Sequence, residues 1–461
     1  MTSINVNSKA ATNVPSATLF TMGEKRLVDY YTSTSVAAAP FRVLAQEWTE
    51  NGYVYEAQYN FAAYNAPSGW WNNLFELTLP NLQTAKLQFP SDVPDAGKAA
   101  NNARIADILE VYAFDLLLNT YGNIPYSQAL NNTIPFPVYD DAKTVYADLL
   151  HRLDTCISGL DAGAGSSLGA ADLIYGGDVT MWKKFAATLE LKLGIRLADV
   201  DATTASTAVG SAITAGVFAS NADNPNMPYD PSAVGNSNPI WQALVNSTRH
   251  DFCPDSLMVA TMVGWNDPRL PLYFTTDSRG GYSGGTPGNA NGFALFSQFS
   301  AQMKAPAYPG ILLSYSQVEF WKAEAVERGI SSVSGTAESH YDNAITASIE
   351  YWGGAAADAA TYLAQPEVAY STATGAWQQK LGYQEWLANF NMNWDSWTDI
   401  RRLGYPNLDA LALPTGAHGN FPLRFYYPSN ESGSNSTNWK AAVAALPGGA
   451  DVVSAKLFWM K

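Results

Sequence analysis

The sequence predicts an all-α fold in which helical hairpins support an irregular, loop-rich half with minor β-ribbons. Three observations carry that expectation. Apolar residues recur at helical spacing through much of the chain, strand patterns are scarce, and long stretches rich in Gly, Pro and aromatic residues interrupt the periodicity.

Between Ala99 and Leu118, Ile105, Ile108, Leu109, Tyr112 and Leu116 recur at steps of three and four. The pattern stops at Asn119-Thr120-Tyr121-Gly122, where the glycine suits a helix C-cap and Pro125 opposes continuation. Val179 to Asp199 repeats the theme with Trp182, Phe185, Leu189, Leu193 and Leu197. Asp178 suits its N-cap, and Ala186 and Gly194 leave room for a second helix to approach. Further helices are expected over 17–32, 69–86, 140–160, 202–215, 314–328, 337–352 and 377–390. Glu324 and Arg328, four apart with the acid first, suit an exposed helix face. Consecutive helices with short links predict hairpins stacked in the manner of a tetratricopeptide array, without a clean repeat consensus. Strand signals are confined to 270–275 and 421–427.

The segment 33–66 carries Trp48, Tyr53, Tyr55, Tyr59, Phe61 and Tyr64 among polar neighbours. Residues 220–240 are rich in Pro and Asn, and 264–312 combine paired glycines with Trp265, Tyr282, Phe293 and Tyr308. Long irregular segments inside a compact domain are functional or disordered, and this many rings argue against disorder. No Pro/Ser-rich linker divides the chain. The expectation is therefore one domain, 1–461, with long insertions notably at 33–66, 220–312 and 405–440.

Charge and motifs narrow the function. The formal net charge of −15, from 41 acidic and 26 basic residues, opposes nucleic acid and anionic lipid surfaces and is easiest to reconcile with an uncharged ligand. Cys156 and Cys253 belong to no CxxC cluster; they either pair or remain two free thiols. His151, His250, His340 and His418 are scattered outside any HExxH pattern, so neither a metal nor a cofactor is expected. Asp223, Asp230 and Asp251 offer oxygen ligands but not the spacing of a calcium loop. Glu319 and Glu324 diverge on one helix, and Asp395 and Asp399 lie beside Arg401 and Arg402 as ion-pair partners, so no glycosidase pair stands out. There is no GxSxG, and His250-Asp251 lacks a nucleophile. No apolar run suffices for a membrane helix, and Met1 to Asn7 lacks the basic start and apolar core of a signal peptide. The chain is thus expected to be either cytosolic or a trimmed form.

Surplus rings in the irregular segments are the candidate binding groups, because aromatic planes accept apolar sugar faces while amides and guanidinia orient hydroxyls. Trp71 shares a helix face with Phe75 and Leu79, which leaves Trp70 as the freer ring; core packing is the other reading of Trp70. Tyr282 and Phe293 lie in the Gly-rich loop with Arg279, Asn289 and Asn291 as hydroxyl partners, or else staple that loop down. Tyr64 and Trp265 complete the set.

Ordered blocks of sequence add a resemblance. They begin with Gln46-x-Trp48, Tyr53, Glu56-Ala57 and Tyr59, then Tyr121-Gly122-Asn123-Ile124-Pro125-Tyr126-Ser127 and Trp182 to Ala198. They continue through Asn266-Asp267-Pro268-Arg269-Leu270-Pro271, Tyr315 to Ala325 and Glu385-Trp386 to Phe390. Trp397-x-Asp399-x-Arg401-Arg402-x-Gly404, then Arg424, Tyr427-Pro428, Glu431 and Lys456-Leu457-Phe458-Trp459 complete them. Together they resemble the second large branch of the SusD/RagB family of outer-membrane nutrient-binding lipoproteins. The resemblance implies four tetratricopeptide-like helix pairs supporting a ligand-facing half. It also implies a non-catalytic, lipid-anchored protein on the outer membrane of Bacteroidetes-type bacteria. Such a protein captures oligosaccharides, or in some relatives peptides, for a SusC-like TonB-dependent transporter. The lipidated cysteine expected near the N-terminus is absent, which favours the trimmed form. An oligopeptide-binding member, an all-α glycan-degrading enzyme and a pure docking scaffold are the alternatives.

Overall fold

The computed structural model describes residues 14–461; the amino-terminal stretch on which the anchoring expectation rests lies outside them. Helix starts are written locally, most often by aspartate. Asp95, Asp141, Asp178 and Asp201 accept hydrogen bonds from backbone N–H groups at the starts of Ala96–Tyr121, Ala142–Gly159, Val179–Arg196 and Ala202–Ala215. Each carboxylate satisfies a donor with no intrahelical partner and faces the positive end of the helix dipole. Ser314 and Gln317 form a reciprocal capping box at the start of Tyr315–Glu327.

The helices pack in succession. Ser16–Thr32 lies on Leu79–Asp92, that helix on Ala96–Tyr121, and the series continues through Ala142–Gly159, Val179–Arg196 and Ala202–Ala215. A second group joins Tyr315–Glu327 to Ala337–Tyr351 and Trp377–Ala388, and Trp394–Leu403 packs on the last of these. Ala96–Tyr121 is the central rod: from Ile105 to Tyr121 every residue except Asp107 is buried. Gly194 explains one close crossing, since a Cβ there would sit 3.0 Å from Ala208 Cβ and 3.1 Å from the Val209 nitrogen. The expected room for a second helix is there, and Ala202–Ala215 fills it.

Buried charges bind this scaffold, some locally and some across long sequence separations. Arg269 and Asp267 pair at 2.6 Å, both fully enclosed. Arg196 meets Asp115 at 2.6 Å, and Lys192 meets Asp395 at the same distance. The Arg401 guanidinium lies 3.4 Å from the Trp397 ring centre and donates to the carbonyls of Asn119 and Leu423. Arg402 gathers Glu324, Glu385 and Asp399, while Arg424 donates to the Tyr121 carbonyl and pairs with Asp451. Asp395 and Asp399 are thus occupied by cations, as ion-pair partners. Glu324 departs from expectation: it is buried, and Arg328 joins it to Asp199 instead of displaying an exposed pair.

The strand expectations are corrected except at the end of 270–275, where Phe274 makes an antiparallel bridge to Phe299. Leu270–Tyr273 is a short helix, with Pro271 in its first turn and the Asp267–Arg269 pair fixing its start. Residues 421–427 run without a ladder partner. The strand pairs that do form are short, and one of them matters most: Trp48–Glu50 runs antiparallel to Phe252–Pro254, with Thr49 opposite Cys253. Cys156 and Cys253 are buried free thiols; burial pushes the Cys253 thiol up to about 12. No helix among the described residues is long and apolar enough to cross a membrane.

Candidate functional site

The Trp48–Glu50 and Phe252–Pro254 pairing joins two irregular segments far apart in sequence. Where it ends, Asn51 N–H donates to the Asp251 carbonyl at 2.7 Å and Asn51 Nδ2 to the His250 carbonyl at 2.8 Å. The turn that leaves the first strand carries Tyr53 and Tyr55, and the segment returns through Tyr64 before the helix Ala66–Asn72. The opposite wall comes from Ser33–Ala37 and from Pro239 to Phe252. Between them lies an open cleft of about 530 Å³, within the range that small-molecule sites occupy.

Its lining combines rings with polar groups. Tyr53 is 64% exposed and Tyr64 39%; Tyr55, 40% exposed, braces Tyr64 edge-on at 5.7 Å. Gln242, Ser247, Arg249 and Asp251 face the same space, with Arg249 Nε 2.8 Å from Asp251 Oδ2. Arg42 secures the neighbouring loop by donating to the Thr32 and Ser33 carbonyls and to Asn391 Oδ1.

A buried acid pair lies under the tyrosine turn. Glu50, ending its strand, accepts from Ala57 N–H at 2.9 Å, while both carboxyl oxygens of Glu56 are enclosed without a hydrogen-bond partner. Burial, first of all, raises Glu50 to about 7; burial and then the Glu50 charge raise Glu56 to about 8. At neutral pH the pair therefore retains a proton.

The Gly-rich loop proves to be a strap over the strand pair. Gly285 N–H donates to the Pro254 carbonyl, and Asn291 Nδ2 donates to the Glu50 carbonyl at 2.9 Å. A Cβ on Gly284 would lie 2.4 Å from the Asp255 carbonyl carbon, and one on Gly285 2.6 Å from Cys253 Sγ, so only glycine permits this approach. Beyond the strap a second recess of about 470 Å³ adjoins the cleft, sharing Arg249 and Phe252 with it. Phe293 forms its shelf, stacked on His250 with ring centres 4.1 Å apart.

The candidate residues divide accordingly. Tyr64 lines the cleft and Phe293 the recess. Trp70 is a correction: it is fully buried, edge-on to Phe41 at 4.9 Å, and cannot meet a ligand. Adjacent tryptophans leave one ring free only on a helix with a single packed face, and this helix is covered on both; Trp71 packs on Phe75 and Tyr121. Tyr282 is half-buried against the core, and Trp265 is half-buried beside Tyr383; neither lines the cleft or the recess. Arg279 is exposed but held by Asp277 and Ser283, and those bonds keep the Asp277 carboxyl well below its usual range. Asn289 is exposed on the strap outside both lined spaces, and Asn291 is spent on backbone carbonyls.

Tyr53, Gln242, Arg249, His250 and Lys304 line the two spaces without having been sequence candidates. The available signal was local: Arg249-His250-Asp251 is a charged run within a long stretch of Asn, Ser and Pro. Among the described residues no group of three His, Cys, Asp or Glu is placed to hold a metal ion. Asp223 is taken by Lys184 at 2.8 Å and Asp251 by Arg249.

Comparison with known proteins agrees with this architecture. A SusD-like family, described as "Starch-binding associating with outer membrane", matches residues 8–428. A solved structure titled "chitin-binding protein" is 26% identical with a TM-score of 0.82, covering 96% of this chain and 99% of its own. A SusD homologue from Bacteroides uniformis is 25% identical with a TM-score of 0.80 over the same shares. One from Bacteroides fragilis is 24% identical, with a TM-score of 0.82, covering 97% of this chain and 100% of its own. Comparison with curated proteins gives no match. With the family matched over nearly its whole length and the helical architecture shared, the chain belongs to the SusD-like family.

Proposed function

We infer that this protein is a non-catalytic glycan-binding protein of the outer cell surface. In this reading it captures oligosaccharides at the Tyr53–Tyr64 cleft and passes them to a SusC-like TonB-dependent barrel. A lipid anchor would hold it at the outer membrane. The observation that carries the reading is the pairing of exposed tyrosine faces with Gln242, Arg249 and Asp251 across an open space of about 530 Å³. Rings take the C–H face of a pyranose, and amide, guanidinium and carboxylate groups fix its hydroxyls. The family description and the relative titled as chitin-binding support a glycan as the first ligand class to test.

Hydrolysis is disfavoured by the carboxylates of the cleft. Glu56 is enclosed, Glu50 is hydrogen-bonded and nearly buried, and Asp251 is paired with Arg249, so no two acids face a bond from opposite sides.

Isothermal calorimetry against chitin, starch and β-glucan oligosaccharides tests the proposal. Binding that the double substitution Tyr53→Ala/Tyr64→Ala abolishes supports it. Binding that survives the double substitution, or failure of every glycan alongside capture of peptides, overturns it. New reducing ends on incubation overturn the non-catalytic part.

A further inference from the structure

The cleft and its neighbouring recess differ in the ionisable groups that line them. The cleft presents Glu50 and Asp251 together with Arg249. The recess is lined by Arg249, His250 and Lys304 with Leu244, Val245, Thr248, Phe252, Phe293, Gln298 and Phe299, and no carboxylate is among them. In a chain whose formal charge is −15, this recess gathers three basic side chains, Arg249, His250 and Lys304, and no acid.

Among the recess cations, Arg249 is held by Asp251 and Lys304 has no acid beside it. Lys304 is half-buried, burial lowers its pKa, and no carboxylate offsets that desolvation. Half-buried Lys86, Lys184 and Lys322 each meet an acid within 2.8 Å, whereas Lys304, like half-buried Lys98, Lys183 and Lys380, makes no ion pair. The recess is also built, not a loose fold of loop. Gln298 Nε2 donates to the carbonyls of Phe293 at 2.8 Å and Phe296 at 3.1 Å, which fixes the shelf. Phe299 closes the back, packed on Trp48 with ring centres 4.2 Å apart. Asn51 holds the His250 carbonyl, so the strand pair that floors the cleft also positions the recess.

We propose that this recess is a second subsite, in which Phe293 carries a sugar ring and Lys304 receives an anionic substituent on it, a carboxylate or a sulfate. This rests on the cleft being a glycan site and names the chemical class that the neighbouring subsite selects. It also revises the expectation of an uncharged ligand: net charge describes the whole surface, whereas recognition is decided by the few groups within a screening length of the ligand.

Affinity electrophoresis in EDTA tests it, with acidic polysaccharides paired to their neutral derivatives: polygalacturonate and hyaluronan with their carboxyl-reduced forms, chondroitin sulfate with desulfated, carboxyl-reduced chondroitin. EDTA removes any divalent bridge between ligand and protein carboxylates. The expected result is at least one acidic member bound about tenfold more tightly than its neutral partner, the scale of a hydrogen-bonded charge. Lys304→Gln should erase that ratio while leaving neutral binding in place, and Phe293→Ala should weaken both members. Carboxylate and sulfate arms distinguish the two substituents. The proposal is overturned if every neutral form binds as well as its acidic partner, or if Lys304→Gln leaves the ratio unchanged. Neutral binding that depends on Tyr53 and Tyr64 would then leave the cleft reading standing alone. Failure of every polysaccharide removes both readings.

Discussion

The buried arginines of the helical scaffold and the ionisable groups around the cleft differ in their partners. In the scaffold, Arg269, Arg196, Arg402 and Arg424 each meet carboxylates or carbonyls inside the fold. Around the cleft, Glu56 has no hydrogen-bond partner, Glu50 keeps company with another acid, and Lys304 has no acid beside it. Breaking a satisfied pair leaves a lone buried charge, which is costly; around the cleft, enclosed Glu56 is left to hold a proton and half-buried Lys304 lines an opening. The contrast separates what holds the molecule together from what the molecule offers.

Scaffold substitutions put that contrast under the heaviest strain. Asp267→Ala, which strands Arg269 in the interior, should cost about 3–5 kcal/mol of stability, as should emptying the Trp70 site with Trp70→Ala. Urea unfolding followed by tryptophan fluorescence reads both; a loss under about 1 kcal/mol would mean the scaffold charges are not its fastening. On the other side, Tyr53→Ala and Tyr64→Ala should each weaken glycan binding about tenfold with the melting temperature unmoved. A large stability loss from either would erase the distinction between the regions.

Acidity provides a finer probe. Glu50 and Glu56 have pKa values above those of an unfolded chain, so the folded state binds the extra proton. Their contribution is complete below the ordinary glutamate range and is lost as pH rises through about 7 to 8. Melting temperature should accordingly fall between pH 6 and pH 9, and Glu56→Gln should flatten part of that decline; an unchanged slope would show the pair to be hydrated in solution. Glu47 and Glu190, each raised to about 8 by burial, contribute in the same direction. The smallest effect is local: Asp178→Ala should remove about 1 kcal/mol by opening the start of Val179–Arg196.

The sequence was most readable where one rule decides the outcome. Helix periodicity, the Asp178 cap and the room beside Gly194 all survive, because local spacing and local hydrogen bonding determine them. The ordered blocks that resemble a family prove to be fastenings: Arg269, Arg401, Arg402 and Arg424 serve the interior. Such blocks identify the scaffold and are silent about the ligand. The site lay beyond reach because a three-residue ladder brings Tyr53 and Tyr64 opposite Arg249 and Asp251, and no periodicity announces so short a pairing. Trp70 was misjudged for a related reason: a helix covered on both sides leaves neither of two adjacent rings free.

The strap over the strand pair has a practical consequence for redesign. Gly284 and Gly285 touch backbone and sulfur where a methyl group has no space, so they tolerate no change, yet neither lines the cleft or its recess. Tyr53, which does line the cleft, is mostly bathed in solvent and fastens nothing. Selectivity can therefore be rewritten one residue at a time along the rim, with the clasp beneath left untouched.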